Sequence, residues 1–160
     1  MIVLRGMTEA DCPGLAGIEA RIGSPPWKAR QFQEELLEKA LTRVACTASG
    51  EVIGYAVARR QCDWWQLMIL GVTPDWQGRG VGKRLLLDLL EKACAQGGEG
   101  MELEVRASNG PALGLYERCG FSRQGERPGY YLTSAAREPA VLMGYAFRRE
   151  SGTKTAGDCP

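Results

Sequence analysis

The chain has 160 residues, of which 20 are basic and 19 acidic, so its formal net charge is +1 at pH 7. A nearly neutral chain has no general electrostatic field for nucleic acid or an anionic membrane, and its length suits one domain with a sizeable core. The chain contains no histidine, which excludes histidine-based catalytic triads. Any general base must therefore be a carboxyl group, tyrosine, lysine, cysteine or an ordered water.

The six cysteines are scattered, with no Cys-x-x-Cys pair. This pattern argues against a zinc site and against a disulfide scaffold, and reduced cysteines are typical of the cytoplasm. No apolar run approaches the roughly 18 residues that a membrane helix needs. The opening residues also lack the basic-then-apolar layout of a signal peptide. We therefore expect a cytoplasmic protein with no metal and no membrane partner.

The first half of the chain predicts strands and helices from its apolar spacing and turn residues. In chain order these are a strand at 2–4, a helix capped by Thr8 or Asp11 with Leu15, Ile18 and Ile22 on one side, a break at 25–27, a helix with Phe32, Leu36 and Leu37 on its apolar side, a hairpin of 43–47 and 52–58, and a strand at 65–72.

Three glycines at alternate positions, Gly78, Gly80 and Gly82, follow this last strand and precede a long apolar helix. Glycines let the backbone approach a ligand closely and turn its N–H groups toward one point. The N-terminus of the following helix adds amide donors and the positive end of its dipole. The segment therefore predicts an anion site, for which phosphate is the usual ligand.

The spacing of these glycines excludes two common nucleotide loops. A dinucleotide fingerprint requires Gly-x-Gly-x-x-Gly, and the run here is one residue shorter. A P-loop requires four residues between its glycines and a Ser or Thr after the lysine. Here the spacing from Gly78 to Gly82 is one residue short, and Lys83 is followed by Arg84.

The second half of the chain completes an α/β pattern with helices on both faces of a mixed sheet. After the helix of 84–90 it predicts a break at 97–100, a strand at 101–106, a helix that Asn109 caps and Gly120 ends, a last strand at 140–147, and a disordered tail at 148–160. We expect a single domain over residues 1–147.

The strand at 101–106 alternates cleanly between apolar and charged side chains. Met101, Leu103 and Val105 face one side, whereas Glu102, Glu104 and Arg106 face the other. Because a central strand of such a sheet usually has two apolar faces, the charged face indicates either an edge strand or a lined cleft. The alternation alone leaves both interpretations open.

Gln77 to Gly82 has the Gln-x-x-Gly-x-Gly pattern and closely resembles the acyl-CoA pyrophosphate loop of the GNAT N-acetyltransferase superfamily. Further strings resemble one subfamily, the bacterial ribosomal-protein-alanine N-acetyltransferases. They are Pro26-Trp27, Leu103 to Asn109, Ala112, Leu115-Tyr116, Gly120-Phe121, Tyr130-Tyr131 and Arg137-Glu138.

This resemblance implies the GNAT fold, a mixed, mostly antiparallel sheet of about seven strands flanked by about four helices. It also implies Glu104 as proton acceptor and Tyr116 as proton donor, with acetyl-CoA as cosubstrate and no metal. The positions that match its cofactor contacts are Leu70, Gly71, Val72, Gly78, Arg79, Gly80, Val81, Gly82, Lys83 and Asn109.

The implied activity is acetyl transfer from acetyl-CoA to the N-terminal alanine of a small-subunit ribosomal protein. The transfer is direct, in a ternary complex, and the protein partner is the N-terminal segment of that substrate. Two alternatives are a GNAT enzyme for a lysine, polyamine or other small-molecule amine, and an acyl-CoA-binding sensor without turnover.

Several candidate residues also have simpler interpretations. Asn109 could serve only as a helix cap. Arg79 and Lys83 could face solvent, and Tyr116 could be an ordinary half-buried aromatic. Cys119 lies three residues after Tyr116, where a buried small residue is expected in preference to an acyl-cysteine intermediate.

Overall fold

A computed structural model describes residues 1–23, 25–132 and 137–148, and for 130–132 and 137 it describes the backbone only. The described strands are β1 (Ile2–Arg5), β2 (Leu41–Thr47), β3 (Val52–Gln61), β4 (Trp64–Val72), β5 (Gly100–Arg106), β6 (Ser122–Leu132) and β7 (Arg137–Ala146). The α-helices are α1 (Cys12–Ile22), α2 (Ala29–Leu37), α3 (Val81–Ala95) and α4 (Gly110–Arg118).

The strands form a single seven-stranded sheet in the order β1-β2-β3-β4-β5-β7-β6. Every neighbouring pair is antiparallel except β4 and β5, which are parallel. A parallel pair needs a crossover connection, which α3 supplies. The predicted fold class, a mostly antiparallel sheet with about four helices, is thereby confirmed.

Each face of the sheet is covered by two helices. Helices α1 and α2 pack on one face, where Leu15 and Phe32 meet Tyr55 and Val57. Helices α3 and α4 cover the other face, and the largest fully buried side chains of α3 are leucines. Both faces of β3 are therefore removed from water between Ile53 and Ala58, and such burial is the main stabilising contribution to a layered fold.

Strands β4 and β5 are paired over only part of their length. Trp64 to Gln66 pair with Gly100 to Glu102, and the ladder then stops. Beyond that point β4 continues alongside β3, with a bulge at Met68. Strand β5 continues alongside β7 instead. The two strands thus diverge, and a wedge-shaped gap opens between 67–72 and 103–106.

Strand β6 is the element that the sequence patterns did not locate. It contains Gly125, Pro128 and Gly129 among charged residues, a composition typical of a loop. It lies at the edge of the sheet with two register shifts against β7. Proline and bulges are tolerated at an edge. Strand β7 likewise begins at Arg137, three residues before its predicted start.

The prediction for the buried side of α2 is wrong at one position. Phe32 is buried, but Leu37 is 81% exposed. The buried side instead carries Glu35, whose carboxyl accepts a hydrogen bond of 2.6 Å from Arg59 on β3. A charged pair therefore holds α2 to the sheet where an apolar contact was expected.

Some sequence expectations fall outside the described residues. The tail predicted at 148–160 does so apart from Arg148, as do the side chains of Tyr130 and Tyr131.

Cys12, Cys46, Cys62 and Cys119 are free thiols, whereas Cys94 is disulfide-bonded. The expectation of reduced cysteines therefore fails at Cys94.

The described ranges lack two features. None of the helices there has the length and apolar character needed to cross a bilayer. In the same ranges, no three Cys, Asp or Glu side chains are grouped as ligands for a metal ion.

The Asp11 carboxyl group links β1 to the start of α1 by hydrogen bonds, and the stability that these bonds contribute should depend on pH. It accepts two hydrogen bonds from Arg5, at 2.8 and 2.9 Å, and one from the Thr8 N–H. The Arg5 hydrogen bonds are the main reason that the pKa of Asp11 falls to about 2 from its ordinary 3.8. Because the folded pKa is the lower one, the stabilisation is complete above pH 4 and disappears as pH falls toward 2.

We predict that Asp11→Asn lowers the free energy of unfolding by about 1 kcal/mol at pH 7, with a difference that shrinks toward zero by about pH 2. Urea denaturation across this pH range measures it. Glu34→Gln, which breaks the exposed Arg30–Glu34 pair, is the control and should change little. A deficit of Asp11→Asn that stays constant down to pH 2 would contradict the assignment.

Candidate functional site

The glycine loop between β4 and α3 has the backbone shape that its sequence predicts. Gly78 and Gly80 have φ values of 75° and 81°, a region that residues with a Cβ rarely adopt. The side chain of Gln77 folds back and donates a hydrogen bond from Nε2 to the Val72 carbonyl at 3.0 Å. This bond closes the turn between the end of β4 and the loop.

Helix α3 begins immediately after Gly80, at Val81. The first N–H groups of a helix have no acceptor within it, and with the helix dipole they favour an anion. A cavity of about 650 Å³, which we call the loop cavity, lies at this end of the helix. Lys83 and Arg118 are among its lining residues, and no Asp or Glu is. The loop cavity is therefore suited to a negatively charged group.

The end of β4 forms one wall of the loop cavity through Leu70, Gly71 and Val72. The Thr73 N–H donates to the Ile53 carbonyl of β3 at 2.8 Å. Because successive N–H groups of a strand point to opposite sides, the N–H groups of Val72 and Leu70 point away from β3. They are thus directed into the gap where β4 and β5 diverge.

Glu104 lies on the other side of this gap, in a central strand. Strand β5 lies between β4 and β7, so the edge-strand interpretation of its charged face is wrong and the lined-cleft interpretation is correct. Glu104 lines a second cavity of about 660 Å³, which we call the Glu104 cavity. Its side chain is 25% exposed, and Oε1 lies 3.1 Å from a guanidinium nitrogen of Arg127 on β6.

The two cavities share a wall. Leu70 of β4 and Tyr116 of α4 line both of them, as do Ile22, Asn109 and Ala112. Tyr116 is only 8% exposed, and its ring packs against Phe121 with centroids 5.8 Å apart. A group bound in the loop cavity and one bound beside Glu104 would therefore meet at Tyr116.

Of the remaining predicted acetyl-CoA contacts, all except Arg79 line the loop cavity. Gly71, Val72, Gly78, Gly80, Val81, Gly82 and Lys83 line the loop cavity. Gly82 faces α4, where a Cβ would come within 3.3 Å of Leu115. Arg79 is not among the lining residues, because its guanidinium lies over the Trp76 ring, 5.0 Å from the centroid. The solvent-facing interpretation therefore fits Arg79 better than it fits Lys83.

Asn109 both caps a helix and lines the site. Its side chain caps α4 by accepting a hydrogen bond from the Ala112 N–H at 3.2 Å, and the same residue lines both cavities. The turn before it is held by Glu138, whose carboxyl accepts the Ser108 N–H at 2.7 Å. Hydrogen bonding from the Ser108 side chain, and then from this N–H, lowers the pKa of Glu138.

Cys119 is buried at the end of α4, as expected for a packing residue. Burial raises the pKa of its thiol, and the nearby positive charges of Lys83 and Arg118 only partly oppose this. A thiol with a raised pKa is a poor nucleophile at neutral pH. The geometry therefore gives no support to an acyl-cysteine.

Sequence reasoning missed three residues at the site. Arg127 was missed because β6 was not located. Arg118 carries no local pattern that distinguishes it from a solvent-facing charge at a helix end. Glu19 had a usable signal, since it interrupts the apolar side of α1 next to Ile18, and it is only 4% exposed.

Comparisons with known proteins agree with this geometry. The model of the acetyltransferase (GNAT) family matches residues 12–121. The N-alpha-acetyltransferase RimI of Mycobacterium tuberculosis is 36% identical over 94% of each chain. The crystal structure of the ribosomal-protein-S18-alanine N-acetyltransferase from Escherichia coli superposes with a TM-score of 0.87, at 30% identity, over 97% of this chain and 99% of that one.

A plant structure extends the likeness of fold. Arabidopsis thaliana NAA60 in complex with acetyl-CoA has a TM-score of 0.79 at 21% identity, covering 91% of this chain and 98% of that one. Together these similarities confirm the resemblance predicted from the glycine loop and the Glu104 strand.

Proposed function

Since the chain belongs to the acetyltransferase (GNAT) family, we propose that it transfers the acetyl group of acetyl-CoA to the N-terminal alanine of a small-subunit ribosomal protein. One observation carries the proposal. A cavity suited to an anion and a cavity that contains Glu104 meet at Tyr116, across the gap between β4 and β5.

Acetyl-CoA fits the loop cavity by its chemistry. Its pyrophosphate requires N–H donors and positive charge, which the start of α3 and Lys83 supply. Its pantetheine arm is an amide chain that can pair with the N–H of Leu70, as a strand would. The thioester then lies beside Tyr116, at the wall that the two cavities share.

The Glu104 cavity, which we assign to the acceptor, suits an α-amine. An α-amino group has a pKa of about 7.7–8.0, whereas a lysine side chain has one of about 10.4. A carboxyl group such as Glu104, acting directly or through one water, can therefore accept the proton of an α-amine near neutral pH. The N-terminus of the acceptor would enter the Glu104 cavity from the side of α1 and Trp27.

The transfer can be written with these residues. The neutral amine attacks the thioester carbon, and the N–H of Val72 is the donor available to the developing oxyanion. The C–S bond then breaks, and Tyr116 protonates the departing thiolate. The proton that the nitrogen loses as it becomes an amide returns to Tyr116 through solvent, so the tyrosine is regenerated. The products are CoA and an acetylated N-terminus, and no metal enters the reaction.

We further propose that the partner is the N-terminal segment of a ribosomal protein and that the compartment is the cytoplasm. The Escherichia coli protein is named for the alanine of ribosomal protein S18. We extend that class of acceptor to this chain. The proposal rests on the residues at the shared wall and on the 36% and 30% identities to the two named N-acetyltransferases.

The first test concerns the glycine loop. Gly80→Ala should weaken acetyl-CoA binding at least tenfold, because a Cβ at a φ of 81° forces the amides of the loop out of position. Isothermal titration calorimetry with acetyl-CoA measures the affinity. Gly50→Ala is the matched control, since Gly50 has a φ of 92° in the β2–β3 turn.

Both substitutions add a Cβ where nothing lies within 4 Å, so their effects on stability should be similar. Only Gly80→Ala should lose affinity. Equal affinities in the two variants would contradict the placement of acetyl-CoA at this loop.

The second test concerns the reaction itself. A peptide that begins with a free alanine should release CoA from acetyl-CoA, and Glu104→Gln or Tyr116→Phe should each slow release by at least tenfold. Glu102→Gln is the control, because Glu102 lies on the same face of β5 but hydrogen-bonds Gln66 at 3.0 Å. It should retain most of the activity.

The same assay distinguishes acceptors. A matched peptide with a blocked N-terminus and an internal lysine should not react. Acetylation of that lysine would overturn the choice of an α-amine. Unchanged rates in both Glu104→Gln and Tyr116→Phe would overturn the roles given to these residues.

A further inference from the structure

Glu19 is a buried acidic residue for which the proposed reaction has no use. It lies on α1, is only 4% exposed, and lines the Glu104 cavity. Burying a carboxyl group is costly unless its oxygens are hydrogen-bonded. The hydrogen-bond partners of Glu19 indicate what it does at this cavity wall.

The two oxygens of Glu19 are bonded to different parts of the fold. Oε1 accepts the backbone N–H of Trp27 at 3.1 Å, and Oε2 accepts the hydroxyl of Tyr55 on β3. Gly23 is pressed against the same group, since a Cβ there would lie 2.6 Å from Oε1. The carboxyl group thus holds the connection between α1 and α2 in place.

Tyr55 extends this link to β4. Its ring covers Gly71 so closely that no Cβ would fit there. Gly71 lies between Leu70 and Val72, the two residues whose N–H groups point into the gap. Burial, followed by the hydrogen bond to Glu19, raises the pKa of Tyr55, so its hydroxyl remains a donor at physiological pH.

The connection held by Glu19 forms one side of the Glu104 cavity. Gly23, Pro25 and Trp27 line that cavity but not the loop cavity. Trp27 also packs on Phe32, whose ring in turn meets Tyr55 edge-on at 5.4 Å. The wall on the acceptor side is therefore anchored to β3 and β4 through Tyr55.

We propose that Glu19 is a positioning residue that fixes the α1–α2 connection against β4 and so sets the width of the acceptor entrance. The proposal rests on the proposed function, because it assigns the Glu104 cavity to the acceptor. Glu19 acts on peptide binding through its hydrogen bond to the Trp27 N–H. The contact of the Tyr55 ring with Gly71 is a packing contact that does not require Glu19, so the acetyl-CoA side should change little.

Steady-state kinetics on the complete chain separates the two substrates. Glu19→Ala leaves two buried donors without their acceptor and should raise KM for the alanine peptide about tenfold. The KM for acetyl-CoA should stay within about twofold, since Glu19 is absent from the loop cavity. Glu19→Gln can still accept the Trp27 N–H and should restore part of the peptide affinity.

Tyr55→Phe is the second variant, in case Glu19→Ala folds poorly. It removes one hydroxyl and should raise the same KM, with an effect that is not additive with that of Glu19→Gln. Glu35→Gln is the matched control. Glu35 is equally buried on the neighbouring helix, but it pairs with Arg59 and lines neither cavity.

Hydrogen exchange of the Trp27 amide gives a readout independent of activity. It should quicken at least tenfold in Glu19→Ala and stay unchanged in Glu35→Gln. The inference is overturned if the peptide KM is unchanged in folded variants, if both KM values rise together, or if the Trp27 amide stays protected. If the unaltered protein acetylates no peptide, the proposed function fails, and Trp27 exchange alone decides whether Glu19 holds this connection.

Discussion

Strands β4 and β5 pair at three positions each and then separate, and the site depends on that separation. Were the ladder continuous, the N–H groups of Leu70 and Val72 would be bonded to β5 and unavailable to a ligand. Because the strands diverge, the backbone of β4 and the side chain of Glu104 face one gap from opposite sides. Helices α3 and α4 then close it with the glycine loop and Tyr116.

The divergence is stabilised by contacts on both sides. On the β4 side, pairing with β3 continues to Val72, and the buried Tyr55 ring packs closely against Gly71. On the β5 side, pairing with β7 runs the whole length of the strand, from Gly100 to Arg106. The gap is therefore maintained by the packing of both neighbours, and a ligand need not create it.

Features that depend on a few neighbouring residues were predictable from the sequence. The glycine loop, the Asn109 cap and the alternation around Glu104 each have a local spacing with a physical meaning. Features set by distant pairing were not. Strand β6 has the composition of a loop, and Arg127 beside Glu104 was lost with it. The link from Glu19 to Trp27 and Tyr55 joins α1, the α1–α2 connection and β3, and no local pattern marks it.

We propose that the acetyl donor and the acceptor occupy the two cavities together and react directly, with the buried Cys119 taking no part. Initial velocities measured while acetyl-CoA and an alanine-starting peptide are varied against each other test this most directly. Double-reciprocal plots should give intersecting lines, the pattern of a ternary complex. Parallel lines, together with an acetylated form of the protein isolated without peptide, would show a covalent intermediate and contradict the account.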